Sequence, residues 1–282
     1  MPPTKQRSDS PYDPDSHYGN KGSETWHGYK LHVSETCNPD TLHVITHVET
    51  TPAYCQDIEQ TALIHKALAE KGLVPQQHFV DAGYVDAELL VSSQQIYNIE
   101  LIGPIKANPS WQAKDPEAFD ISHFAIDWEA KVVSCPQGHT SKTWTPHLDP
   151  DQNPVITVNF SKPLCRDCPV RERCTRSPTY PRSLTLHPQA EHEAIERLRQ
   201  QQDSPQWRKQ YATRAGVEGT ISQAVVGFSM RQSRYRGLAK TRLQHIATAV
   251  AINIKRAFAW VKGIPHAMTR ISHFEALAPK MG

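Results

Sequence analysis

The sequence predicts a mixed α/β fold, and three observations support this class. Two short β-type runs, at residues 28–33 and 42–48, flank the turn-forming segment Asn-Pro-Asp and indicate a hairpin. A helical pattern at residues 57–71 and an apolar run that ends at Asp81 follow the hairpin. A long helical pattern occupies the carboxyl-terminal region. Strands that alternate with helices along a chain are typical of an α/β domain.

Each element has a local justification. The first helix has apolar residues at helical spacing, and Gly72 stands where it is expected to end. The run from His78 to Tyr84 predicts a strand that delivers the Asp81 carboxylate at its carboxyl end. After it, Asp86 can cap a short helix, and residues 99–105 supply a further strand.

Four regions follow from this pattern. Residues 1–25 are polar and rich in Pro, Ser and Asp, which predicts an extended linker. Residues 26–106 form the first part of a core, and residues 107–204 form an insertion with a cysteine cluster. Residues 205–282 form the helical end of the core.

Positive charge is concentrated near the carboxyl end. The chain has a net charge of +2, but residues 205–270 contain twelve Lys and Arg residues and one acidic residue, Glu218. Because exposed surfaces usually mix both signs, this asymmetry predicts a face that binds a polyanion. The alternative is an ordinary solvated helix surface.

No segment of the sequence requires a membrane or an export route. The first ten residues lack the apolar stretch of a signal peptide, and charged residues interrupt the long carboxyl-terminal helix. We therefore expect a cytoplasmic protein, whose six cysteines are reduced or bound to metal.

Four cysteines have the spacing of a zinc site. Cys135 precedes a Pro-Gln-Gly-His turn, and the second group is Cys165, Cys168 and Cys174. Thiolate and imidazole are ligands that Zn²⁺ favours, and Cys-x-x-Cys puts two sulfurs on one tight turn. We predict structural zinc on the four cysteines, with His139 as a possible substitute for one of them; free or redox-active thiols are the alternative.

A second pattern involves carboxylates. Tyr211, Arg214 and Glu218 follow one another with two and then three intervening residues, on what reads as one helix. Together with the strand-terminal Asp81, this spacing resembles the signature of the DDE transposases of bacterial insertion sequences. The resemblance runs from about Asp13 to Phe274 and includes the cysteine-rich insertion.

The resemblance has several implications. It implies a ribonuclease H-like core, a small zinc-knuckle insertion and a carboxyl-terminal helical region. It implies that Asp81 and Glu218 bind Mg²⁺ or Mn²⁺ during metal-dependent DNA strand cleavage and transfer. The implied partners are the element's terminal repeats, target DNA and further copies of the chain on that DNA.

The basic residues near Glu218 suit contacts with DNA phosphates. Arg214 can form bidentate bonds to a phosphate, and Tyr211 can position the same backbone. The family signature continues with Lys seven positions after Glu, where this chain has Val225, although Arg231 can reach the same phosphate. The further predicted contacts are Arg234, Tyr235, Arg236 and Lys240.

One part of the resembled pattern is not found. The family's core opens with a strand that bears the first catalytic Asp, and no such strand precedes the hairpin. Asp13 and Asp15 lie among poor strand formers, and Asp57 is placed to cap a helix. We therefore expect an incomplete chain that binds DNA without full catalysis.

Three other classes stay open. A metal-dependent nuclease would cleave DNA without joining it, and a zinc-containing DNA-binding regulator would not need Asp81 or Glu218. A structural protein would leave the charge of the carboxyl-terminal region without a purpose.

Overall fold

The computed structural model describes residue 7 and residues 9–264. The chain divides into two compact units, which are described separately below. The terminal unit contains residues up to Pro75 and from Lys209 onward, and the middle unit contains Gln76–Arg208. Both helices and strands are present, so the predicted α/β class is confirmed. Residues 265–282, including Phe274, lie outside the described part.

The terminal unit contains an antiparallel sheet with the strand order β1-β2-β3. The strands are β1 (His17–Lys21), β2 (Glu24–Glu35) and β3 (Ile45–Pro52). The β2–β3 pair is the predicted hairpin. β1 lies within the stretch expected to be a linker. A Cβ atom at Gly19 would lie 2.7 Å from the Trp26 ring, so the absence of a side chain there lets β1 approach β2 closely.

The predicted first helix is present as α1 (Ile58–Glu70). Its apolar positions Ile64 and Leu68 are buried, and so is His65. The helix ends where expected: Gly72 has φ +68°, a left-handed conformation that glycine adopts without strain. The backbone N–H of Leu73 then donates to the Leu68 carbonyl at 2.9 Å, which satisfies one of the last free carbonyls.

The carboxyl-terminal region is helical. It consists of α7 (Pro205–Tyr211), a 3₁₀ turn (Ala212–Arg214), α8 (Ala215–Phe228) and α9 (Leu238–Val261). α9 packs against β3 with a face of small and polar residues. The Asn253 side chain fixes this contact, because it accepts from the backbone N–H of Ile45 and donates to the Ile45 carbonyl, at 2.8 and 2.9 Å.

The opposite face of α9 is apolar and exposed. Six of its large side chains have between 40% and 84% of their surface exposed: Leu243, Ile246, Val250, Ile254, Phe258 and Val261. The face of α9 that packs on the sheet therefore carries fewer large apolar side chains than the face that is exposed. Within the described residues, no helix has the combination of length and apolar character needed to cross a membrane.

In the middle unit, the strands β4 (Gln77–Phe79) and β5 (Glu100–Ile102) pair in parallel. They are joined by α2 (Ala87–Tyr97), which packs against α6 (Gln189–Gln202). Asp86 caps α2 as predicted, since its carboxylate accepts from the backbone N–H of Leu89 at 2.8 Å.

The rest of the middle unit surrounds a second apolar core. Its short helices are α3 (Trp111–Lys114), α4 (Lys162–Arg166) and α5 (Arg171–Cys174). A hairpin of β6 (Ala125–Asp127) and β7 (Val132–Ser134) accompanies a sheet of β8 (Thr143–Leu148), β9 (Pro154–Asn159) and β10 (Ser183–Leu186). The buried residues of the core are Phe119, Phe124, Val133, Val158, Phe160, Leu184 and Leu186.

Candidate functional site

Asp81 lies just beyond the end of β4, as the sequence predicted. Its Oδ1 accepts from the backbone N–H of Ala82 at 3.0 Å, and its carbonyl accepts from Tyr84 N–H at 2.9 Å. Asp81 therefore caps the 3₁₀ turn Ala82–Tyr84. The side chain is half-buried. This position at the carboxyl end of a parallel strand is one where functional residues of α/β proteins commonly occur.

The predicted Tyr-Arg-Glu helix is divided between three elements of the structure. Tyr211 ends α7, Arg214 ends the 3₁₀ turn, and Glu218 lies in the first turn of α8. An Nη1 of Arg214 lies 3.4 Å from Oε1 of Glu218, an i,i+4 pair in which the Glu218 side chain is 72% exposed. Such an exposed pair adds little stability, so the Glu218 carboxylate is accessible to a ligand at small cost. Asp81 belongs to the middle unit and Glu218 to the terminal unit.

A buried ion pair next to Glu218 was missed in the sequence. Glu35 ends β2, and its carboxylate pairs with Arg256 of α9 at 2.9 Å, with exposed side-chain fractions of 6% and 14%. Thr220, two residues after Glu218, donates to Glu35 and accepts from Arg256. The available signals were a carboxylate at the end of a half-buried strand and an arginine in an apolar helix. This network joins β2, α8 and α9.

The predicted DNA-contacting residues after α8 lie in a loop with defined backbone contacts. We call residues 231–240 the basic loop, which includes the first residues of α9; Arg231, Arg234, Tyr235, Arg236 and Lys240 are all exposed in it. The side chain of Gln244 accepts from the backbone N–H of Arg234 and donates to the Gln232 carbonyl, both at 3.0 Å. A fixed backbone with exposed cations suits contact with a polyanion.

Asp13 and Asp15 lie at the beginning of α9. Asp13 accepts from the backbone N–H of Gly237 at 3.1 Å, and Asp15 accepts from Leu238 N–H at 2.9 Å. Tyr29 also donates its hydroxyl proton to Asp13, and burial together with this carboxylate raises the pKa of Tyr29. Both carboxylates therefore cap the helix.

Asp57 behaves differently from the expectation. Its side chain makes no capping hydrogen bond to α1. It instead pairs with Nζ of Lys30 on β2 at 3.1 Å. The contact with a neighbouring strand, which sequence spacing does not reveal, determines the orientation of this carboxylate.

The four predicted zinc ligands lie around one cavity in the middle unit. Cys135, Cys165, Cys168 and Cys174 all line a space of about 30 Å³, as does His139. A space of this size holds a water molecule or a single ion. Burial, and to a smaller extent the three other thiols, raises the pKa of Cys174 to about 11. The chain after Cys135 forms a tight turn, since Gly138 has φ +79° and its backbone N–H donates to the Cys135 carbonyl at 2.8 Å.

The thiols do not, however, form a ready coordination shell. Across residue 7 and residues 9–264, no group of three or more His, Cys, Asp or Glu side chains has an arrangement that holds a metal ion. All six cysteines are free thiols. The structure thus brings the predicted zinc ligands to one cavity, without ligation geometry. Its cationic neighbours are Arg171 and Arg182, which line the same cavity.

The α/β fold, the exposed carboxylate of Glu218 and the basic loop are together typical of a protein that acts on nucleic acids. Residues 134–258 match the family model of the transposase DDE domain. This match confirms the resemblance to DDE transposases for that segment. No curated protein and no solved structure matched the chain.

The matched segment covers much of the candidate site. It includes the four cysteines, Glu218 and the basic loop, whereas Asp81 precedes it. The family implies DNA as a partner and generally uses divalent metal ions.

Proposed function

We propose that this chain is a transposase with a ribonuclease H-like core, which binds the ends of an insertion sequence and takes part in metal-dependent cleavage and transfer of DNA strands. The observation that carries this proposal is the position of Glu218. It projects from the first turn of α8 into solvent and pairs with Arg214, within the family-matched segment that also contains the basic loop.

Each proposed residue has a role that fits its surroundings. Asp81 and Glu218 supply carboxylate oxygens, which are the ligands that Mg²⁺ and Mn²⁺ prefer. When bound, the metal ions would stabilise the attacking and leaving oxygens of a phosphoryl displacement. Arg214 neutralises a phosphate near Glu218, and Tyr211 orients the same backbone.

The third carboxylate of the family's triad is not assigned. Asp13 and Asp15 already accept from backbone N–H groups of α9, and Asp57 pairs with Lys30. The proposed activity therefore depends on a carboxylate whose identity an assay must establish.

The decisive experiment is a strand-cleavage assay with the 282-residue chain on DNA that carries the element's ends, with Mg²⁺ or Mn²⁺. Asp81→Asn and Glu218→Gln should abolish cleavage and joining but retain DNA binding. The matched controls are Glu129→Gln and Glu24→Gln, which neutralise one exposed carboxylate in each unit and should change neither property.

The assay also separates the alternatives. Cleavage without joining would favour a nuclease, and DNA binding without cleavage by the parent chain would favour a regulator or an incomplete transposase. If the parent protein is active and both substitutions leave its activity unchanged, the proposed carboxylate roles are wrong.

We further propose structural zinc at the four-cysteine cavity. The support is the shared cavity of about 30 Å³ and the chemistry of the donors, since Zn²⁺ takes four thiolates. A four-thiolate zinc site carries two excess negative charges, which the guanidinium groups of Arg171 and Arg182 would balance. Binding requires the thiols to move together from their present arrangement.

Metal analysis of the purified chain tests the zinc proposal. We expect about one Zn²⁺ per chain, as for a single closed site, with loss of the metal in Cys168→Ser. Cys37→Ser is the matched control, because Cys37 belongs to the terminal unit. A purified protein that contains no zinc, and whose middle unit is nevertheless folded, would contradict the proposal.

The exposed face of α9 is the proposed surface for self-association on DNA. Its six apolar side chains lie along one stripe of a 24-residue helix. At roughly 100 Å² of exposed surface per side chain, two facing copies remove about 1,200 Å² from water, near the lower limit for specific interfaces. Val250→Lys should give monomers by light scattering with the helix content unchanged. The control is Lys255→Gln on the same helix, and oligomers that survive Val250→Lys would refute the assignment.

A further inference from the structure

An acidic segment near the amino terminus lies directly on the proposed DNA surface. The acidic segment, residues 9–16, contains Asp9, Asp13 and Asp15. Asp13 and Asp15 bind the backbone N–H groups of Gly237 and Leu238, which stand between the basic loop's arginines and the body of α9. All of these residues belong to the terminal unit.

A second contact is independent of these carboxylates. The ring of Tyr12 lies under the guanidinium of Arg236, with 5.4 Å between the guanidinium carbon and the ring centroid. A cation over an aromatic face is attracted by the ring's negative electrostatic potential. Arg236 is one of the predicted DNA contacts, so the acidic segment covers part of the surface that the proposed function uses.

The chemistry of these contacts resembles that of a DNA backbone. The first N–H groups of a helix have no partner within the helix and favour negative charge, and phosphates bind there. In this chain, two carboxylates accept from the backbone N–H groups of Gly237 and Leu238 at that position, directly after Arg236 in the sequence. A phosphate and a carboxylate compete for the same donors, because both are anionic oxygen acceptors.

We propose that the acidic segment is an intramolecular mimic of DNA phosphates, which masks the basic loop and the beginning of α9 until DNA displaces it. This inference rests on the proposed function, because it concerns the regulation of the same DNA surface. The apparent DNA affinity then equals the affinity of the unmasked surface multiplied by the fraction of molecules in which the segment is displaced.

The hydrogen-bond pattern within the segment explains how it holds its position. Tyr29 of β2 donates to both oxygens of Asp13, at 2.8 and 2.9 Å, which orients that carboxylate toward α9. Asp9 accepts from the backbone N–H of Tyr18 at 2.8 Å and anchors the other end to β1. The segment is thus held at both ends.

Charge and capping can be separated experimentally. Asparagine caps helices about as well as aspartate, so Asp13→Asn with Asp15→Asn retains the acceptors but removes two negative charges. The control is Asp40→Asn with Glu24→Gln, which removes two charges from exposed positions of the same unit. Asp40 has φ +59°, which asparagine tolerates.

The binding experiment uses the full chain and a fluorescent DNA duplex of arbitrary sequence at fixed salt. The Asp13/Asp15 variant should bind about tenfold more tightly than the control variant, which corresponds to a surface that is free about one tenth of the time. Equal affinities of the two variants would overturn the masking proposal.

Hydrogen exchange of the unmodified protein provides a second test that needs no variant. On addition of DNA, backbone amides of residues 9–18 should exchange faster, since the segment leaves its contacts. Unchanged or slower exchange at these amides with saturating DNA would overturn the proposal.

A third variant separates this inference from the proposed function. If Arg234→Ala with Arg236→Ala leaves DNA affinity unchanged, the DNA surface itself is wrongly assigned. If those substitutions weaken binding but removal of the acidic charges has no effect, only the masking proposal fails.

Discussion

Removal of the Glu35 charge should destabilise the terminal unit. Glu35→Gln retains nearly the same shape but leaves the Arg256 guanidinium without its carboxylate, in surroundings where its side chain is 14% exposed. Loss of one partner of a buried ion pair costs about 3–5 kcal/mol, because the remaining charge stays desolvated.

The structure favours the lower end of that range. Besides Glu35, Arg256 donates to three neutral acceptors: Thr220, Gln223 and the His43 carbonyl. These bonds continue to compensate the charge, so we expect a loss of about 3 kcal/mol in the free energy of unfolding. The double variant Glu35→Gln with Arg256→Met should recover part of this loss, since it buries no unpaired charge.

Hydrogen exchange followed by mass spectrometry measures this loss in the terminal unit alone, in peptides from β2 and α8. Glu49→Gln on β3 is the matched control. Glu49 pairs at 3.3 Å with Arg242, whose side chain is 50% exposed, so this substitution should cost less than about 1 kcal/mol. Equal losses for Glu35→Gln and Glu49→Gln would show that the buried network does not act as an ion pair.

Two further predictions concern pH and packing. Burial lowers the pKa of the fully buried His65 to about 4. As the pH falls below 6.5, the unfolded chain therefore binds a proton at this histidine before the folded protein does. The resulting stability is complete above pH 6.5 and is lost as the pH falls toward 4. The pKa shift of His65 corresponds to about 3 kcal/mol of unfolding free energy. His65→Gln should therefore make this free energy depend less on pH between 4 and 6.5. An unchanged pH dependence would contradict this assignment. Gly103→Ala should destabilise the middle unit by about 1–3 kcal/mol in urea unfolding, because the added Cβ would lie 2.9 Å from Cγ2 of Val80. A stability equal to that of the parent would show that Val80 moves freely.

Local pattern was a reliable guide where each element could be read from its own residues. The β2–β3 hairpin, α1 and the cap of α2 by Asp86 all follow from turn chemistry, apolar spacing and capping, which operate within a few residues. The position of Asp81 beyond a strand was predicted for the same reason. β1 was missed because its strand depends on a close approach to Trp26, a contact between different strands.

Local sequence pattern did not predict contacts in which a residue needs a partner from another element. Most of the large apolar side chains of α9 are exposed, and the helix packs on β3 with Thr241, His245 and Thr248 among its buried residues. Buried polar side chains are stable only with partners, and His245 has one in the Thr50 hydroxyl at 2.8 Å. The sequence of α9 does not contain that partner.

For the candidate site, the sequence alone determined which side chains are available: the two carboxylates, the cation-rich carboxyl-terminal region and four cysteines at zinc-ligand spacing. Only the tertiary structure decided their surroundings. It gathers the four cysteines around one cavity, buries Glu35 against Arg256, and lays Asp13 and Asp15 on the beginning of α9. The physical reason is that residue type sets chemistry locally, whereas burial and pairing depend on residues that are distant in the chain, such as Glu35 and Arg256, which are 221 positions apart.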